Sequence, residues 1–177
     1  MSGMNSPDTQ RPPGPLPFAE AAENELAGVG NYRQTGRSVK MRADAAAAFL
    51  SLTKQARSEG VEIIPISGFR TMAYQEILFR KAVIRYGSED AAVRWVARPG
   101  HSEHQTGLAI DVGDGENPAC DVEPPFEETP AFRWLQKNAA RFGYELSYPR
   151  NHPRGVHYEP WHWRFIGTPE AKQIFRQ

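Results

Sequence analysis

The sequence predicts an α+β fold, a single domain in which a small antiparallel sheet is flanked by helices. Three observations predict it. Helical and strand-like segments follow one another without the regular alternation that a parallel sheet requires. At 177 residues the chain is one domain by length, and long enough to bury a core without disulfides. Two Thr-Pro pairs, Thr129-Pro130 and Thr168-Pro169, set a capping hydroxyl before a proline at the first helical position and so mark two helix starts.

Met1 to Pro17 is rich in proline and has little to bury, so residues 1–38 are read as a flexible, Pro-rich lead-in and residues 39–177 as the domain. Arg42 to Ser58 carries Ala45, Phe49, Leu52 and Ala56 on one helical face, with Gly60 just beyond its end. Val61 to Ile66 is β-branched and apolar, and Pro65 makes it an edge strand or a strand end. Thr71 caps a second helix that runs to about Tyr86 and closes at Gly87; Ser88 caps a third through Val96, before Pro99-Gly100. Leu108 to Val112 is a candidate strand, and Asp114 to Glu128 an acidic, Gly- and Pro-containing loop. The helix opened by Thr129-Pro130 is expected to reach Arg141 and stop at Gly143. Tyr144 to Tyr148 and Val156 to Ile166 alternate as strands do, and Thr168-Pro169 begins the last helix.

Composition excludes several classes. Lysine plus arginine and aspartate plus glutamate each number 21, so there is no basic surplus to suggest a nucleic-acid partner. The longest apolar run, Ala45 to Leu50, is far short of the roughly 20 residues of a membrane helix. One cysteine, Cys120, excludes an intramolecular disulfide and a cysteine-rich metal site. A secretory signal needs a basic start and roughly 7–15 apolar residues, and the N-terminal stretch has neither. The expectation is a monomer that works where it is made, or a chain given without its export signal.

All five histidines fall between His101 and His162. Within that span His104, Asp111 and His162 supply two imidazoles and a carboxylate, which suit zinc, and Glu159 is a free carboxylate beside them. A catalytic zinc takes three protein ligands and keeps a fourth position for water. Gly107, between His104 and Asp111, suits a loop entering a strand. Glu159 and His162 differ in parity, so both can face one ion only if the strand is irregular there, and Pro160 supplies the irregularity. In this reading Glu159 is the catalytic base, relaying a proton from activated water to the leaving amine, and is the only unliganded carboxylate near the metal. Ser102 and Gln75 are candidates for hydrogen bonds to a peptide; Trp161 is either a pocket wall or core. Ser67 is equally well a turn residue.

Ser102-x-His104-x-x-Gly107-x-Ala109-x-Asp111 together with Glu159-x-Trp161-His162 resembles the zinc D-alanyl-D-alanine carboxypeptidases of the VanY type, peptidase family M15. The strings SEHQTGLAID and YEPWHWRFIG, with SGFR at Ser67 to Arg70 upstream, extend the resemblance over roughly Val39 to Gly167. It implies a zinc site at the sheet and removal of a terminal D-amino acid from peptidoglycan stem peptides or their precursors, in the cell envelope. It also implies that Arg70 binds the substrate's C-terminal carboxylate, a task that suits a planar guanidinium. The alternatives are an L,D-carboxypeptidase or endopeptidase with the same chemistry and, more distantly, a metal-dependent binding module without turnover. A free base such as Glu159 argues against that module.

Overall fold

The computed structural model describes residues 17–176. The chain opens with an antiparallel hairpin, β1 (Leu26–Asn31) and β2 (Ser38–Arg42), and passes directly into α1 (Ala43–Ser58). β3 (Ile63–Ser67) leads to α2 (Met72–Tyr86) and the short α3 (Glu89–Ala92). A 3₁₀ turn at Glu103–Thr106 then enters β4 (Ala109–Asp114). α4 (Pro130–Asn138), β5 (Tyr144–Leu146), β6 (His162–Phe165) and α5 (Pro169–Phe175) complete the order. The main sheet runs β3-β4-β6-β5 and is antiparallel throughout, as the α+β reading expects.

α1 buries Ala45, Phe49, Leu52 and Ala56, the predicted stripe, against the sheet. Tyr144 locks β5 to it: its hydroxyl donates to the Ala45 carbonyl at 2.7 Å and its ring meets Phe49 edge-on. The central strand β4 is buried at every position. Its two faces have different roles, because side chains alternate along a strand. Ile110 and Val112 enter the core, whereas Asp111 faces a cleft on the other side. The threonine caps form as expected, Thr71, Thr129 and Thr168 accepting from the backbone N–H of Tyr74, Phe132 and Ala171.

Several boundaries differ from the sequence reading. The lead-in expected over residues 1–38 contains β1 and the start of β2; its first sixteen residues lie outside those described. Val29, Val39 and Met41 of the hairpin are core residues, but glycines at 28 and 30 mask the alternation of β1. The third helix stops at Ala92. The fourth is α-helical only to Asn138 and tightens to 3₁₀ over Ala139–Phe142 before Gly143. Of Val156 to Ile166 only His162–Phe165 is strand, since the chain turns at Pro160-Trp161 as the proline requires.

α2 and α3 pack mainly on each other, around Phe79, Ala82 and Ala92, apart from the principal core. Between this helical pair and the sheet lies a cavity of about 870 Å³, within the range typical of small-ligand sites. No helix among the described residues is long and apolar enough to cross a membrane.

Candidate active site

The floor of the cleft brings together residues from three segments. Asp111 of β4 and His162 of β6 are directly opposed across the antiparallel pair, so a 51-residue separation in sequence becomes a contact. His104 comes from the 3₁₀ turn that feeds β4, and Gly107 ends that turn at φ +68°. A side chain at Gly107 would be strained and would meet the Arg42 backbone nitrogen at 3.1 Å. The loop after β3 grips the turn from behind: the Gly68 carbonyl lies 2.7 Å from His104 Nδ1, and Arg70 N–H donates to the His104 carbonyl.

All three side chains are buried, and their ligand atoms lie within 4.8 Å of one another. His104 Nε2 is 3.2 Å and His162 Nδ1 3.0 Å from the same oxygen, Asp111 Oδ1. Two donors bound tetrahedrally to one zinc sit about 3.4 Å apart, so the set fits that ion with little adjustment. The tautomer of His104 points the same way. A carbonyl only accepts, so His104 Nδ1 carries the proton and Nε2 presents a lone pair to a carboxylate oxygen. Burial, and then the Arg70 charge, bring the His104 pKa down to about 4, so the ring stays neutral. Two lone pairs facing each other call for a cation between them.

His162 is held at both ends. Burial opposes its charge, but hydrogen bonds to Asp111 and Glu103 raise its pKa to about 10, so without metal it is an imidazolium between two carboxylates. A cation that takes Nδ1 replaces that proton. Glu159 opens the turn that positions His162, whose N–H donates to the Glu159 carbonyl at 3.1 Å. Its Oε2 stands 3.9 Å from His162 Nδ1, near the donor set and outside it. Burial raises the Glu159 carboxyl to about 7; His162 works against this and Asp111 with it. A carboxyl in that range can exchange a proton at neutral pH.

The expectation that Glu159 is the only free carboxylate near the metal ligands is corrected by Glu103. This residue is buried, with Oε2 2.9 Å from His162 Nε2 and Oε1 2.8 Å from Arg164 Nη1. Burial would raise it, but His162 and Arg164 hold its carboxyl at about 2. Metal-bound histidines usually donate their second N–H to such a partner. That rule, applied to the glutamate preceding His104, was the signal available in the sequence.

The remaining predicted residues line the same cleft. Arg70 donates from Nε to Ser67 Oγ at 2.9 Å and from Nη2 to Asp111 Oδ2, so Ser67 is a support rather than only a turn residue. Gln75 is buried; its Nε2 donates to the Ala97 carbonyl, while Oε1 has no hydrogen-bond partner among the described residues. Ser102 opens the 3₁₀ turn. Trp161 belongs to both alternatives, packing into the core and lining the cleft. His157 stacks on Trp95 at 3.7 Å.

A buried His/Asp/His donor set on an antiparallel sheet, with an unliganded carboxylate at its side in an open cleft, defines a metallopeptidase site. The family model described as VanY, D-alanyl-D-alanine carboxypeptidase, matches residues 38–168. The chain belongs to this VanY family. It is 36% identical over 132 residues to a D-alanyl-D-alanine carboxypeptidase of Enterococcus faecalis, covering 69% of this chain and 47% of that protein. The chain spans about half the length of several curated relatives it matches. Among solved structures it resembles the LdcB LD-carboxypeptidase (TM-score 0.73, 33% identity, 87% of this chain and 73% of that one). It also resembles a VanY D,D-pentapeptidase from a vancomycin-resistance cassette, solved in complex with Zn(II) (TM-score 0.65, 30% identity, 92% of both chains).

Proposed function

We propose that the chain is a zinc-dependent carboxypeptidase that removes the terminal D-amino acid from peptidoglycan stem peptides. The observation that carries this reading is Glu159, a carboxyl with a pKa near 7 standing 3.9 Å from the His162 nitrogen of the donor set. His104 Nε2, Asp111 Oδ1 and His162 Nδ1 are the assigned ligands. When bound, zinc supplies a Lewis acid for the scissile carbonyl and lowers the pKa of water towards ~7.

The protein's own groups do the rest. Glu159 accepts the proton of the attacking water and delivers it to the departing amine. Arg70 uses Nε and one N–H of Nη2 on Ser67 and Asp111, so a substrate carboxylate is received at the Nη1 side of the guanidinium rather than along the Nε side. Gln75 and Ser102 line the same cleft and are the candidates for hydrogen bonds to the peptide.

A second reading, L,D-carboxypeptidase, is supported by the likeness to LdcB. Incubation of purified protein with stem tetra- and pentapeptides, with and without chelator, tests both. Loss of one D-residue from the pentapeptide alone, abolished by chelator, is the expected result. Cleavage of the tetrapeptide moves the assignment to the second reading. No metal-dependent cleavage of either overturns the carboxypeptidase reading.

A further inference from the structure

The charges lining the cleft are segregated. The carboxylates, Glu103, Asp111 and Glu159, all lie at the floor around the donor set, where Arg164 and Arg70 pair with the first two. The wall made by α2 and the segment that follows α3 presents Lys81, Arg85, Arg94 and Arg98. Arg98 is paired with Glu89 at 3.0 Å, but Lys81, Arg85 and Arg94 form no ion pair with a described residue. The whole chain has equal numbers of acidic and basic residues, so this imbalance is local.

An aromatic platform stands in the same wall. The Trp95 indole lies nearly parallel to the ring of Tyr86 at 5.6 Å and stacks on that of His157 at 3.7 Å, yet it remains 45% exposed. Arg85 lies over the Tyr86 ring, 5.5 Å from its centroid. A tryptophan fixed by stacking has little rotamer freedom left to lose on binding, which favours it as a contact surface. Cations beside it that form no ion pair among the described residues attract anions and repel cations from the mouth of the cleft.

We infer that this wall is a second subsite, for an acidic stretch of the peptide whose end reaches the metal centre: Trp95 packs on the peptide and Lys81, Arg85 and Arg94 meet its side-chain carboxylates. The inference rests on the carboxypeptidase reading, because it takes one peptide to occupy floor and wall together.

The test uses two peptides with the same free C-terminus, one with carboxylates upstream of the cleaved bond and one with carboxamides in their place. The wild-type protein should favour the acidic peptide by about tenfold in kcat/KM, mostly through KM, and added salt should shrink the preference. In Lys81→Ala/Arg85→Ala/Arg94→Ala the ratio should fall towards one, with zinc content of the same preparation confirming an intact metal site. Trp95→Ala should raise KM for both peptides. Equal cleavage of the two peptides by the wild-type protein would overturn the subsite and leave the carboxypeptidase reading standing. Cleavage of neither would remove that reading instead. Inhibition by inorganic pyrophosphate without any preference for the acidic peptide would assign the wall to phosphates and likewise overturn the proposal.

Discussion

His162 Nε2 lies 2.9 Å from Glu103 Oε2, while the other nitrogen of the same ring faces Asp111 Oδ1 at 3.0 Å. Glu103 therefore fixes which nitrogen is left for a metal and how the ring is turned. It also gives Arg164 an anionic partner at 2.8 Å, so its removal leaves that guanidinium with Glu145 alone. Glu103→Ala should weaken zinc affinity by about 10–100-fold, and Glu103→Gln, which keeps an acceptor, by less. Competition with a chromophoric chelator measures both. Unchanged affinity in Glu103→Ala would show that packing alone orients His162.

Glu159 and His162 are three residues apart but should behave differently. Glu159→Ala should keep zinc and lose at least ~10²-fold in turnover, the usual scale of a positioned acid–base group. His162→Ala should lose metal and activity together. Metal content and rate measured on the same preparations separate the two. Loss of zinc from Glu159→Ala would make Glu159 a ligand.

Arg70→Ala should harm cleavage of a peptide with a free C-terminal carboxylate far more than cleavage of its C-terminal amide. The charge-assisted contact exists only with the acid. Because Arg70 also braces Asp111 in this structure, both peptides should show some loss. An equal loss for both in KM and kcat would confine Arg70 to the bracing role.

The Glu159 carboxyl also predicts a pH dependence of stability. Its folded pKa of about 7 lies above its ordinary 4.5, so folding favours the protonated form. The penalty is absent below about pH 4.5, grows through the interval and is complete above about pH 7, where it amounts to on the order of 3 kcal/mol. In metal-stripped protein, Glu159→Gln should therefore melt several degrees above the parent near pH 8, with the gap narrowing towards about pH 5. A gap of the same size at both pH values would detach it from Glu159 ionisation.

Gly68 links the hairpin to the metal site. A β-carbon there would stand 2.2 Å from the Lys40 carbonyl oxygen, while the Gly68 carbonyl itself holds His104. Gly68→Ala should cost at least about 2 kcal/mol of stability and weaken zinc binding in the same variant. Thermal melts and chelator competition report the two effects. Lowered stability with unaltered zinc affinity would mean that the loop relieves the clash without moving His104.

The parts legible in the sequence were those written in local chemistry. Thr71, Thr129 and Thr168 announce their helices because a cap acts within three residues, and Pro160 announces the break before β6. The donor set was legible as three chelating side chains in matching motifs, and the structure brings them together. What was hidden depends on distant contacts. β1 has glycines where alternation would show, and its partner β2 lies beyond a turn. Glu103 has the look of a loop carboxylate, and its burial follows only once Arg164, 61 residues on, arrives to neutralise it.

The opposition of Asp111 and His162 on neighbouring strands also bears on how the protein assembles. Strand pairing can err by one residue, and such a slip turns a side chain to the other face of the sheet. With β6 displaced by one position, His162 would leave the cleft and only two donors would remain. Metal binds the correctly paired sheet and not the shifted one, so its binding free energy is added to one register alone. The ion is thus an inspector of the fold before it is a reagent in it.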